Sequence, residues 1–165
     1  MLIQPGSRIG ECEFCGTLQT IPLIDDEKKL RKFERANRLR RNKEFDKASG
    51  IYESIVDDCP DEAEAYWGMV LCRFGIEYVD DPATGKKIPT CHRTSFTTVM
   101  EDEDCQQALE NSSGEARKLY RAESRQIEEL RKKIIEVSTQ TEPFDIFICY
   151  KETDEAGNRT VDSLL

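Results

Sequence analysis

The chain has 165 residues, enough for one domain or a domain with an appendage; 35% are charged, 38% are hydrophobic, and the net charge is −9. The acidic balance argues against nucleic acid as the main partner. No apolar run reaches the length of a membrane span, and the opening "MLIQPGSRIGE" lacks the charged-then-apolar pattern of a signal peptide.

Seven cysteines without a secretion signal fit a reducing, cytoplasmic setting, where thiols are buried or bind metal rather than pair. Residues 1–24, "MLIQPGSRIGECEFCGTLQTIPLI", form the first piece, with a turn signal at Pro5-Gly6-Ser7. Cys12 and Cys15 stand at C-x-x-C spacing with Gly16 directly after, the geometry of a zinc knuckle: two intervening residues let both thiolates face one tetrahedral ion. These are half of a ligand set, and three readings stay open. The pair is one knuckle of a zinc ribbon whose other knuckle is absent, or half of a site completed by distant Cys91 and His92, or a remnant that holds no metal. A redox role fits less well, because no strand-then-helix context surrounds the pair.

Residues 25–74 carry a helical period. Asp25 or Asp26 can cap a first helix with Leu30, Phe33, Ala36 and Leu39 on its apolar side. "RRNKEF" breaks the pattern. A second helix carries Phe45, Ala48, Ile51, Tyr52, Ile55 and Val56 and stops at "DDCPDE", where Pro60 can open the next helix. A third runs through Ala63, Ala65, Tyr66, Gly68, Leu71 and Cys72. Ala36, Ala48, Tyr52 and Pro60 stand at the spacings of a tetratricopeptide repeat, which this segment resembles, although Lys32 stands where the repeat usually has tryptophan. The first helix is strongly basic from Lys28 to Lys43. The expected role of that charge is a solvated face paired with Asp57, Asp58, Asp61 and Glu62 rather than a nucleic-acid surface.

"DDPATGKK" is a turn signal flanked by alternating residues, so a β-hairpin is expected near 76–90, inserted between helices. His92, the sole histidine, is expected to satisfy local hydrogen bonds. "DEDCQQALEN" reads as a short helix. "NSSGEA" then caps a long one carrying Ala116, Leu119, Tyr120, Ile127, Leu130, Ile134 and Val137. The last four have the spacing of a coiled-coil seam, but packing across the preceding hairpin is the preferred reading.

The chain closes on "EPFDIFICYKETDEAGNRTVDSLL". "FDIFICY" suits a strand buried on both faces of a parallel sheet, "KETDEAGNRT" a polar loop, and "VDSLL" the start of a helix, the first unit of a doubly wound α/β fold. This stretch resembles the first box of a TIR domain. Together with "CEFCGTLQTIP", "RANRLRRNKEFDKASGIYESIV" and "EAYWGMVLCRFGIEYVDDPATGKKIPTCHRTSF", it is similar to the N-terminal region of bacterial TIR-domain proteins that join a zinc-ribbon end and a helical repeat to a TIR domain. The expected fold is therefore mainly α: TPR-like helical hairpins over 25–140 with an inserted β-hairpin and a long C-terminal helix, followed over 141–165 by the start of a TIR α/β (flavodoxin-like) domain.

The resemblance implies the sensing and assembly region of a TIR-domain signalling protein of bacterial antiphage defence, whose full-length form is a candidate NAD hydrolase. It implies protein partners or self-association, and makes Tyr150 and Lys151 the candidate NAD-binding residues, with lysine where arginine is frequent. The family's essential glutamate belongs to a later helix, so no catalytic residue is expected within these 165 residues. The alternative is a protein- or peptide-binding helical-repeat adaptor without enzymatic activity.

Overall fold

The structure is a computed structural model that describes residues 2–3, 9–11, 18–20, 27–93 and 95–140. It divides into two units, residues 1–135 and 136–165, and of the second only the helical residues 136–140 are described. The first unit is mainly helical, with five helices and two small antiparallel sheets among the described residues.

Three short strands come first: β1 (Leu2–Ile3), β2 (Ile9–Glu11) and β3 (Leu18–Thr20), paired antiparallel in the order β1-β2-β3. Then come α1 (Glu27–Arg41), α2 (Phe45–Asp58) and α3 (Ala63–Arg73). The α1–α2 turn closes as a Schellman motif. Glu44 N–H donates to Leu39 O at 2.9 Å and Lys43 N–H to Arg40 O at 2.9 Å, with Lys43 in the left-handed region at φ 63°. The turn before α3 holds Pro60 outside the helix, which starts at Ala63, three residues later than a proline-opened helix would.

Two apolar clusters build the unit, and α3 serves both. On one side Phe33, Ala36, Phe45, Ala48, Tyr52 and Ile55 from α1 and α2 enclose Ala65 and Cys72. On the other, Trp67, Val70, Leu71 and Phe74 meet Ile76, Val99, Cys105, Ala108, Tyr120 and Ile127. This double burial explains why α3 is apolar nearly all round. At Gly68 α3 packs tightly on α2: a Cβ there would lie 2.6 Å from the Tyr52 ring, so glycine is the residue that fits.

Gly75, at φ 60°, turns the chain out of α3 into a hairpin of β4 (Ile76–Asp80) and β5 (Lys87–Cys91), in register from Ile76 opposite Cys91 to Asp80 opposite Lys87. The hairpin expected near 76–90 is present. Its loop is organised by Asp81, whose side chain accepts from Ala83 N–H at 3.0 Å and Thr84 Oγ1 at 2.6 Å. A 3₁₀ turn (Val99–Glu101) leads to α4 (Glu103–Glu110), capped by Asp102 accepting from Cys105 N–H at 3.1 Å, and then to α5 (Gly114–Gln140).

Of the four residues with coiled-coil spacing, Ile127 is buried in the second cluster, Leu130 and Ile134 are half-buried, and Val137 is exposed, so α5 uses the start of that seam to pack on the unit. Arg131 ties α5 to the preceding segment. It holds Glu128 with two hydrogen bonds, at 2.9 and 2.7 Å, and donates to Ser95 O and Phe96 O. Among the described residues no helix is long and apolar enough to cross a membrane.

Candidate functional site

The helical period of α3 puts Glu64, Trp67 and Leu71 on one face. That face borders a cavity of about 500 Å³, within the range typical of small-molecule sites (about 300–1,000 Å³). Asn37, Arg40 and Arg41, at i, i+3 and i+4 on α1, form one wall. Tyr78 from β4 and Glu123 from α5 form another, and Leu18 and Thr20 from β3 line a third. Glu77 and Lys87 from the hairpin complete the lining.

Two carboxylates dominate its chemistry. Glu64 Oε2 accepts from Tyr120 Oη at 2.8 Å and also from the Thr20 hydroxyl. Burial pushes this carboxyl up to about 7; the two hydrogen bonds oppose the rise, nearby Glu62 adds to it, and Arg40 offsets it slightly. The Tyr78 hydroxyl and the Trp67 indole lie near Glu123 and favour its ionised form. Burial raises Glu123 to about 7 as well, and the charge of Glu64 adds to the rise. By area both residues are only half-buried, because each opens onto the cavity while protein surrounds it on the other sides.

Aromatic rings back both acids. Trp67 and Tyr120 stack with centroids 5.1 Å apart and planes tilted by 37°. Burial and the neighbouring Glu123 push the Tyr78 phenol well above its ordinary range, so it remains a hydrogen-bond donor. Arg40 donates through Nη1 to Ile76 O at 3.3 Å, while its Nε is buried without a hydrogen-bond partner.

Neither Glu64 nor Glu123 forms an ion pair among the described residues, although the other buried acids do. Glu62 pairs with Lys29 at 3.1 Å, Glu128 with Arg131 at 2.7 Å, and Asp102 with Arg73. The basic face of α1 is likewise drawn into pairs, with Lys32 2.9 Å from Asp58 and Arg31 2.8 Å from Glu27.

Cys12 and Cys15, the zinc candidates, and Tyr150 and Lys151, the nucleotide candidates, lie outside the described residues. Cys91 and His92 are engaged locally. The Cys91 thiol lies 3.1 Å from Phe74 O and 2.9 Å from Arg93 O, and His92 Nε2 lies 2.8 Å from Glu77 Oε2. Among the described residues no three His, Cys, Asp or Glu side chains are grouped to hold a metal ion. Cys72 and Cys105 are buried, and burial pushes each thiol up to about 11, so they behave as inert core groups.

Sequence reasoning passed over Glu64, Glu123, Trp67, Tyr78 and Arg40. A signal existed for the acids: Glu123 stands at i+3 from Tyr120 and i−4 from Ile127, inside an apolar stripe, and Glu64 stands at i−3 from Trp67 and i−7 from Leu71. No protein family, no curated protein and no solved structure matches this chain.

Proposed function

We propose that residues 1–135 are a small-molecule-binding receptor module, and that the chain is the sensing and assembly region of a TIR-domain signalling protein. The observation that carries the receptor reading is the cavity walled by α1, α3, β3, β4 and α5, with two aromatic rings and two carboxyls at its surface that form no ion pair among the described residues. Support for the signalling half comes from the sequence of residues 142–165, which resembles the opening of a TIR domain. The small residues at Ala36, Ala48 and Gly68 sit at buried helix contacts, which is how a TPR-like scaffold would use them.

Binding is a better reading than catalysis. An acid–base pair works through environments that separate two carboxyl pKa values, so that one is protonated and the other ionised at the same pH. Here one cause, burial, moves both to about 7. Hydroxyl or indole donors also lie beside each carboxyl, and no serine, cysteine or lysine lines the cavity near them except Lys87 of the hairpin.

The experiment is a screen of a chemically diverse small-molecule library against the whole chain, read by thermal shift and by fluorescence of Trp67, its sole tryptophan. Ligands are expected that raise the melting temperature and change Trp67 emission, and that do neither in the Glu64→Gln, Glu123→Gln double variant. A library that yields no such ligand of any class would remove the receptor reading.

A further inference from the structure

We propose that the cavity takes a small zwitterion of the free amino acid class, its ammonium or guanidinium group held at Glu64 and Glu123 and its carboxylate at Arg40. This deepens the receptor reading and rests on it.

The cationic half follows from the acids. The buried acids elsewhere in the unit have basic partners, whereas these two face open cavity volume and have none among the described residues. Two carboxyl acceptors without a basic partner among the described residues create a place for a positive group that can donate several hydrogen bonds, which ammonium and guanidinium do. The Trp67 and Tyr78 rings line the same cavity and supply an aromatic wall beside the acids. A hard metal ion fits less well: calcium takes six to eight oxygen ligands, and among the described residues no three His, Cys, Asp or Glu side chains are grouped to hold one.

The anionic half follows from Arg40. It lines the cavity and forms no ion pair among the described residues. Its influence on Glu64 and Glu123 is the smallest of those that act on each, so it does not serve as their counter-ion. A guanidinium without an ion pair is suited to a carboxylate. Arg41 at the next position, and Lys87 across the cavity, add positive charge to the same region. A cavity lined by two acids, aromatic rings and an arginine offers groups of both signs to a molecule that carries opposite charges.

Binding of the cation is coupled to proton release. In the empty protein both carboxyls are partly protonated near neutrality, and a bound cation favours the ionised forms. The groups that face them or share the cavity are Thr20 from β3, Arg40 and Arg41 from α1, Glu62 and Trp67 from α3, Glu77 and Tyr78 from β4, Lys87 from β5 and Tyr120 from α5, with His92 beside Glu77. Burial brings Glu64 and Glu123 into the range between pH 6 and 8, so these two carry the dependence expected of cation binding. Affinity is expected to rise roughly tenfold or more from pH 6 to pH 8, following the ionised fraction of a group with pKa near 7.

The test is titration calorimetry on the whole chain with the twenty free amino acids, with the decarboxylated amines agmatine and cadaverine, and with glutarate, which has no cation. At least one amino acid is expected to bind, with affinity rising between pH 6 and 8 and with heat that depends on the buffer's ionisation enthalpy, the mark of proton release. Its amine is expected to bind about tenfold more weakly, a difference that Arg40→Gln abolishes, and the Glu64→Gln, Glu123→Gln double variant is expected to bind neither. Both variants are checked for folding by circular dichroism. Failure of every amino acid to bind, equal binding of acid-only and zwitterionic probes, or amino acid binding unchanged in the double variant would each overturn the proposal. If the library screen then finds neutral or anionic ligands that need the same cavity, the receptor reading stands without it; if the screen is empty as well, both fall.

Discussion

Replacing Glu123 or Glu64 by glutamine is expected to stabilise the protein, and to do so only at higher pH. Burial raises both carboxyls from the ordinary 4.5 to about 7. Between those two values the folded state holds more protons than the unfolded chain, so stability falls as pH rises through that window and the loss is complete above about pH 7. At about 1.36 kcal/mol per pH unit the difference is roughly 3 kcal/mol for each carboxyl. The two acids repel one another, so the penalties overlap, and each single substitution should recover about 1–3 kcal/mol at pH 8 with less than the sum in the double variant. Glutamine keeps an oxygen beside Tyr78 and Trp67, or one to accept from Tyr120 and Thr20, and mimics the protonated acid. At pH 5, where the acids are themselves protonated in the folded state, the gain should vanish. Thermal unfolding followed by circular dichroism at pH 5 and pH 8 measures this directly. At roughly 2–4 °C per kcal/mol for a chain of this size, the melting temperature should rise by roughly 3–10 °C at pH 8 and by about 1 °C or less at pH 5. If the variants are less stable than the wild type at pH 8, the carboxyls are charged and satisfied in the folded protein, and the account of the cavity as an uncompensated acidic site is wrong.

Three further substitutions probe the scaffold. Gly68→Ala puts a Cβ at 2.6 Å from the Tyr52 ring, so it should cost about 1–3 kcal/mol and lower the urea midpoint; an unchanged midpoint would mean that α2 and α3 separate freely. Glu62→Ala removes the 3.1 Å partner of buried Lys29, and a loss of about 1–3 kcal/mol is expected by the same measurement, larger than loss of an exposed pair such as Arg31 with Glu27 would give. Lys43→Gly relieves a left-handed residue at φ 63° and should raise the melting temperature, by an amount corresponding to about 1 kcal/mol, despite loss of the surface pair with Glu77.

The helices were legible because burial stamps a 3.6-residue period on the chain. Phe33 and Ala36, then Ala48, Tyr52 and Ile55, then Tyr120 and Ile127, are both the periodic residues and the buried ones. The hairpin was legible from Asp81-Pro82 and Thr84-Gly85, the residues that make its loop. Strands β1 to β3 were not, since segments of two and three residues are too short to display an alternation. The site was hidden for a different reason. Glu64 and Tyr120 are 56 residues apart, and Glu64 and Glu123 each look like one more acid in a chain rich in acids. Only the packing of α3 against α5 turns them into neighbours, and only then does their lack of a basic partner become visible.

That lack is the feature the fold gives least reason to keep. The same unit supplies Lys29 to Glu62, Arg73 to Asp102 and Arg131 to Glu128, so basic residues are available to buried acids where structure alone is served. At Glu64 and Glu123 the unit instead tolerates a stability penalty at neutral pH, and Arg40, the nearest guanidinium, is turned toward Ile76 O. A penalty of this kind is typical of sites whose missing partner arrives from outside, because activity and stability then pull in opposite directions. A cationic ligand present at about one hundred times its Kd would contribute about 2.7 kcal/mol through mass action, close to the penalty carried by one of the acids. Ligand and glutamine substitution should therefore relieve the same strain. Stabilisation by ligand should be largest at pH 8, small at pH 5, and absent from the variants that have already been stabilised.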